Sequence, residues 1–174
     1  MVRKLPDASL TFEASPDYIA SPDAANRMKE LLPNVKIIAL LRNPTERAIS
    51  HYFHSIKKGW KQAKILHAMK AAEIIFKQRG LYKEQLERYY EIFPSENILV
   101  LSSEKFFENP AETLKEIYLF LDVDPNIEIN ELSPRQVGFN REPVDVAVHD
   151  YLNGYYKTFN QELFDYIGKD FGWR

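Results

Sequence analysis

Two short runs of branched apolar residues stand out from the mixed pattern of the chain. They are Lys36-Ile-Ile-Ala-Leu-Leu41 and Asn97-Ile-Leu-Val-Leu101, and each follows a proline break, Leu32-Pro33-Asn34 and Phe93-Pro94-Ser95. Apolar runs of about four to eight residues bounded by breakers predict buried strands. Ser9-Leu-Thr-Phe12 is a weaker third run. Helical spacing fills most of the rest. Asn43, Pro44 and Glu46 form a start signal, with Asn43 as cap, Pro44 at the first position and Glu46 placed to complete a capping-box-like reciprocal pair. Ala48, Ile49, Tyr52, Phe53 and Ile56 then make one apolar stripe. Asn109, Pro110 and Glu112 repeat the signal before Leu114, Ile117, Tyr118 and Leu121. Gly80 to Phe93 and Val146 to Ile167 also carry helical spacing. Strands alternating with helices predict an α/β fold with a parallel sheet covered by helices on both faces.

Composition narrows the picture. The chain has 174 residues, 45% hydrophobic and 13% aromatic, which suits one folded domain over 1–174. The absence of cysteine excludes a disulfide scaffold, a thiolate metal site and a cysteine nucleophile. Basic and acidic side chains number 23 and 25, so no global field draws the chain to nucleic acid. No apolar run approaches the roughly 18–20 residues that cross a bilayer. The first residues, MVRKLPDASL, lack the apolar core of a signal peptide, and the expectation is a cytoplasmic protein with no membrane partner. Repeats and low-complexity tracts are absent, and Pro125 to Pro143 is the one long stretch without periodicity, a length that in a compact domain marks function or mobility.

The candidate chemistry lies in Leu41-Arg-Asn-Pro-Thr-Glu-Arg-Ala-Ile-Ser-His-Tyr52. A buried strand ends at Arg42 and a helix starts one residue later, the place where α/β folds bind ligands and helix N-termini present N–H groups. An arginine there adds a planar donor fork suited to phosphate, and Ser50 a neutral hydroxyl two turns on. Read alone, Arg42 is as readily a surface or salt-bridging residue, Arg47 has Glu46 and Glu73 as ion-pair partners, and Ser50 is an ordinary helix serine.

The wider pattern decides between these readings. Arg-x-Pro-x-x-Arg-x-x-Ser-x-Tyr after an apolar strand resembles the 3′-phosphate-binding segment of sulfotransferases that use 3′-phosphoadenosine 5′-phosphosulfate (PAPS). Other segments resemble the family in its order: Phe12-Glu-Ala-Ser-Pro-Asp-Tyr18, Arg79-Gly-Leu-Tyr82 through Tyr89, Ile98-Leu-Val-Leu101 through Leu121, and Tyr155-Tyr156 through Trp173. The likeness covers nearly the whole chain and is strongest to the bacterial and heparan-sulfate-type branch. It implies a P-loop NTPase-like core with a parallel sheet flanked by helices. The implied activity is sulfuryl transfer from PAPS to a hydroxyl or amine acceptor, a carbohydrate or small molecule, releasing adenosine 3′,5′-bisphosphate. Arg42 and Ser50 match the pair that holds the 3′-phosphate. Arg135 to Arg141 stands where the family has a second nucleotide loop, and Asn140 and Arg141 are candidates there on a poor match.

Departures from the family pattern are equally informative. The chain has no Gly-x-x-x-x-Gly-Lys and no other Gly-rich loop for the 5′-phosphosulfate, so it resembles the C-terminal portion of a sulfotransferase domain with the N-terminal portion absent. A sheet lacking its first strand would have an open edge, which invites self-association. The alternative function is a catalytically inactive nucleotide-binding or interaction module derived from a sulfotransferase. Glu13 is a weak candidate for the general base and a stronger one for anchoring its own turn. Where some members carry Lys, this chain has Ala14. His51 follows Ser50 and is expected to face elsewhere, while His54, His67 and His149 show no ligand spacing, so no metal is expected. Lys57, Lys58, Lys61 and Lys64 flank Trp60, a cluster that fits an acidic glycan or, more simply, a solvated helix face around a buried Trp.

Overall fold

The structure is a computed structural model, and it describes residues 10–60, 63–71, 76–126 and 143–174. Strands β1 (Ile37–Leu41) and β2 (Ile98–Ser102) pair in parallel, from Ile37 opposite Ile98 to Leu41 opposite Ser102. Their carboxyl ends therefore lie side by side, and a helix leaves each of them. Helix α1 (Ala24–Leu31) precedes β1, and α2 (Pro44–Lys57), α3 (Ile65–Ala71) and α4 (Tyr82–Tyr90) lie between the strands. After β2 come α5 (Ser103–Glu108), α6 (Pro110–Phe120) and α7 (Val146–Ile167). The strands and α7 match the sequence expectation to within a residue.

Two apolar clusters hold these elements together. In one, Leu41, Ile98 and Val100 of the sheet pack with Tyr82, Leu86 and Tyr89 of α4 and with Leu163, Phe164, Phe171 and Trp173. In the other, Ala48, Ile49 and Tyr52 of α2 pack with Met69, Phe76, Val148, Leu152 and Tyr156. Helix α7 serves both, because its 22 residues span about 33 Å at 1.5 Å each and its apolar positions recur at 148, 152 and 156, then at 163 and 164. It stops at Gly168, whose φ of 66° is left-handed and open to glycine without strain.

Three expectations are corrected here. Leu10 to Phe12 form no strand, and Leu10 and Phe12 are exposed; Ser9 lies outside the described residues. The sheet's second face is covered only in part among the described residues: Leu101 of β2 is buried, but Ile38 and Leu40 on β1 are 37% and 48% exposed, because alternate residues point to opposite faces and the described helices cover the side of Ile37, Ala39 and Leu41. In α6 the expected stripe, Leu114, Ile117, Tyr118 and Leu121, is only half-buried, and Thr113 is the buried member.

Candidate functional site

The turn between β1 and α2 is built by local chemistry first. Leu41 is buried at the end of the strand, Arg42 follows it at the start of the turn, and Asn43 caps the helix. Its Oδ1 accepts from the N–H groups of Thr45 at 2.9 Å and Glu46 at 3.4 Å, and its carbonyl accepts from Arg47 N–H at 2.9 Å. The reciprocal half of the expected capping box comes from elsewhere. Glu46 turns away, and Glu104, 61 residues on, accepts from the Asn43 N–H at 2.8 Å. The parallel register explains this, since it sets the start of α5 beside the start of α2.

Pro44 has no N–H, and those of Asn43, Thr45, Glu46 and Arg47 all have partners. The first turn of α2 thus offers no free N–H to an anion, and any anion at this end must be held by side chains.

Arg42 is the side chain in position to do so. Its guanidinium is 39% exposed and meets Glu46 only at 3.9 Å, an ion pair worth little in solvent. Glu46 also lies 3.6 Å from Nδ1 of His149. Ser50 follows two turns into α2, half-buried. Arg47 points inward instead: it donates to the carbonyl of Phe76, and its Nε is buried without a partner among the described residues. Glu46 pairs with Arg42 and with His149, and Glu73 lies outside the described residues.

Behind Arg42 the backbone is held firmly. The Tyr82 hydroxyl donates to the Arg42 carbonyl at 2.9 Å, and burial pushes the phenol pKa up to about 12. Glu104 accepts three hydrogen bonds, from Asn43 N–H, from the Ser102 hydroxyl at 2.8 Å and from Nε1 of Trp173 at 3.2 Å. Burial raises its pKa, but these donors outweigh burial and leave it below the usual glutamate value. Tyr82, Glu104 and Trp173 all stand within the family-like segments, but nothing local in the sequence marks them as partners of the β1–α2 turn.

A cleft of about 670 Å³ opens beside α2 and α4, lined among others by Asp17, His51, Trp60, Arg79, Gln85 and Arg88. Trp60 is 53% exposed, not buried as the simpler sequence reading has it, and Lys57, Lys58 and Lys64 are exposed nearby in sequence; Lys61 lies outside the described residues. Arg79 pairs with Asp17 at 2.6 Å. His51 lines this cleft and packs edge-on against Phe76 at 5.1 Å. Burial, then the charges of Arg47, Arg79, His54 and Lys58, push its pKa down to about 4. Glu13 is exposed and accepts from the Tyr18 hydroxyl within its own turn. Asn140 and Arg141 lie outside the described residues. Among the described residues no three His, Asp or Glu side chains group closely enough to hold a metal ion.

Comparison with known proteins places this geometry in context. A family model described as a sulfotransferase domain matches residues 13–140. The chain is 26% identical over 196 residues to heparan sulfate glucosamine 3-O-sulfotransferase 6 of Mus musculus, covering 96% of this chain and 57% of that protein. It is 24% identical over 258 residues to the membrane-associated sulfotransferase kil1 of Dictyostelium discoideum, covering 98% and 54%. The chain thus spans little more than half the length of these curated relatives. Among solved structures, a sulfotransferase from Alicyclobacillus acidocaldarius shares the fold with a TM-score of 0.71 at 23% identity, over 88% of this chain and 63% of that one.

Proposed function

Because the chain belongs to the sulfotransferase domain family, we propose that its β1–α2 turn binds the 3′-phosphate of PAPS and that the protein serves sulfuryl transfer to a carbohydrate hydroxyl. The observation that carries the nucleotide half is Arg42. It is a half-exposed guanidinium at the carboxyl end of a parallel strand, anchored through its backbone and, among the described residues, held at its head by a loose contact to Glu46. A phosphate offers that fork two oxygens at once, which a carboxylate at 3.9 Å does not match. Ser50 adds a hydroxyl from the same helix. In the transfer, the sulfur–oxygen bond to the acceptor forms as the bond to the nucleotide phosphate breaks, and adenosine 3′,5′-bisphosphate leaves. Arg42 and Ser50 act at the far end of the nucleotide from that bond, so their part is binding and orientation.

For the acceptor, the cleft beside Trp60 supports an acidic carbohydrate. An exposed indole gives a sugar ring a flat apolar face, and Arg79, half-exposed and tied to Asp17 through one of its nitrogens, keeps further donors for carboxylate or sulfate groups. Relatives named for heparan sulfate glucosamine agree with that chemistry.

Calorimetric titration with adenosine 3′,5′-bisphosphate tests the nucleotide half. Arg42→Ala should weaken binding by about 1.5–3 kcal/mol, the scale of a hydrogen bond to a charged group. A folded variant that binds as tightly as the parent removes Arg42 from the site.

A further inference from the structure

The peptide group joining Arg42 to Asn43 is gripped at both of its polar atoms by side chains from other elements. Its carbonyl accepts from the Tyr82 hydroxyl at 2.9 Å, and its N–H donates to Glu104 Oε1 at 2.8 Å. Both holders meet at the penultimate residue. The Tyr82 ring lies 6.0 Å from the Trp173 ring, and Glu104 Oε2 accepts from Trp173 Nε1 at 3.2 Å. Trp173 is itself fixed: it is buried, packs at 5.6 Å and 5.1 Å on Phe164 and Phe171, and its carbonyl faces the Asn160 amide at 3.5 Å. Gly172, with φ of 75°, turns the chain so that the indole enters this position, and its N–H is capped by Asp170 at 2.7 Å.

We propose that Tyr82 and Glu104, tied together by Trp173, form a clamp on the Arg42–Asn43 peptide that aims the Arg42 guanidinium, making Trp173 a positioning residue for 3′-phosphate selectivity. This rests on reading Arg42 as the 3′-phosphate ligand. The physical reason is that a peptide plane has one remaining freedom here, rotation about its flanking bonds, and fixing both its oxygen and its nitrogen removes it. Arg42 leaves the backbone at the carbon adjoining that plane, so a shift of the plane that carries this carbon with it redirects the guanidinium, whose bidentate contacts depend on orientation. The clamp also explains why the Asn43 N–H is spent on Glu104 instead of being left for the anion.

Two shape-conserving variants, Tyr82→Phe and Glu104→Gln, and one that keeps an aromatic ring in a smaller volume, Trp173→Phe, test this. The glutamine turns one acceptor oxygen into a donor facing other donors, and the phenylalanine keeps an aromatic ring while removing the indole N–H. Two readouts are taken. Amide exchange at Asn43 should quicken about tenfold or more in Glu104→Gln and Trp173→Phe, as the hydrogen bond loosens. Affinity for adenosine 3′,5′-bisphosphate should fall about tenfold in all three, the scale of one lost hydrogen bond, while that for adenosine 5′-monophosphate stays within about twofold. Unchanged Asn43 exchange in folded variants overturns the clamp. Equal weakening of both nucleotides overturns the selectivity role and reduces Trp173 to packing. A parent chain that binds neither nucleotide sinks the functional reading and the selectivity role with it, whereas the exchange rates still decide the clamp.

Discussion

Replacing Gly80 with alanine puts a methyl group where three atoms already sit. A Cβ built there would lie 2.8 Å from Pro44 Cβ and 2.9 Å from both Cε1 and the hydroxyl of Tyr156. Carbon atoms in optimal contact stand about 3.5–4.0 Å apart, so each neighbour must retreat by several tenths of an ångström. Neither can do so cheaply. Pro44 is a fixed ring at the first position of α2, and Tyr156 is fully buried with its hydroxyl bonded to the Lys77 carbonyl at 2.9 Å. Overpacking of this kind costs about 1–3 kcal/mol, offset by up to about 1 kcal/mol from the stiffer unfolded chain. A net loss near 1–2 kcal/mol lowers the melting temperature by about 2–8 °C in a domain of this size. Because Pro44 adjoins Asn43, the same push tilts the turn that carries Arg42. Thermal denaturation and titration with adenosine 3′,5′-bisphosphate read the two effects on one sample. A Gly80→Ala protein that melts with the parent and binds the nucleotide as tightly refutes the close approach and its link to the site.

Three further outcomes follow from the charges around the site. Glu46→Gln should tighten adenosine 3′,5′-bisphosphate by about two- to fivefold in calorimetry, because a carboxylate next to Arg42 repels the incoming phosphate; weaker binding would show that Glu46 orients Arg42 instead. For His51, the native pKa of about 4 lies below the ordinary 6.5, so the unfolded chain takes up a proton that the folded one refuses, and stability falls as pH drops from 6.5 to 4. His51→Phe should shrink that fall by about 1–2 kcal/mol, a figure discounted for the half-exposed ring, as denaturant melts across the interval would measure. The Glu104 pKa is lowered as well, and for a carboxylate this adds stability above the ordinary 4.5 that is lost as pH falls through the native value. Glu104→Gln should therefore be less stable than the parent at pH 7 and show a flatter decline below pH 4.5, and an unchanged acid profile would remove Glu104 from the network.

What the sequence reveals and what it hides divide along contact distance. The runs at 37–41 and 98–102 read as strands because continuous branched apolar residues between prolines have few alternatives, and α7 reads to its last turn because its apolar spacing runs unbroken to Gly168. Asn43 is legible as a cap for the same reason: a strand end and the helix start that follows it are local. The closing partner of the cap is not. Glu46 has the right spacing for it, yet Glu104 takes the role, because the strand register delivers a carboxylate that sequence separation conceals. The same applies to Trp173 reaching Glu104 across 69 positions. Amphipathic counting also fails for β1, whose Ile38 and Leu40 look as apolar as their neighbours but face outward among the described residues.

The most direct test of the account is a crystal structure of the protein with adenosine 3′,5′-bisphosphate. The 3′-phosphate should lie within hydrogen-bond distance of the Arg42 guanidinium and the Ser50 hydroxyl, with Arg42 drawn off Glu46 and the first turn of α2 still closed by Asn43 and Glu104. A nucleotide bound elsewhere, or a phosphate seated on freed N–H groups of α2 with Arg42 still on Glu46, would contradict it.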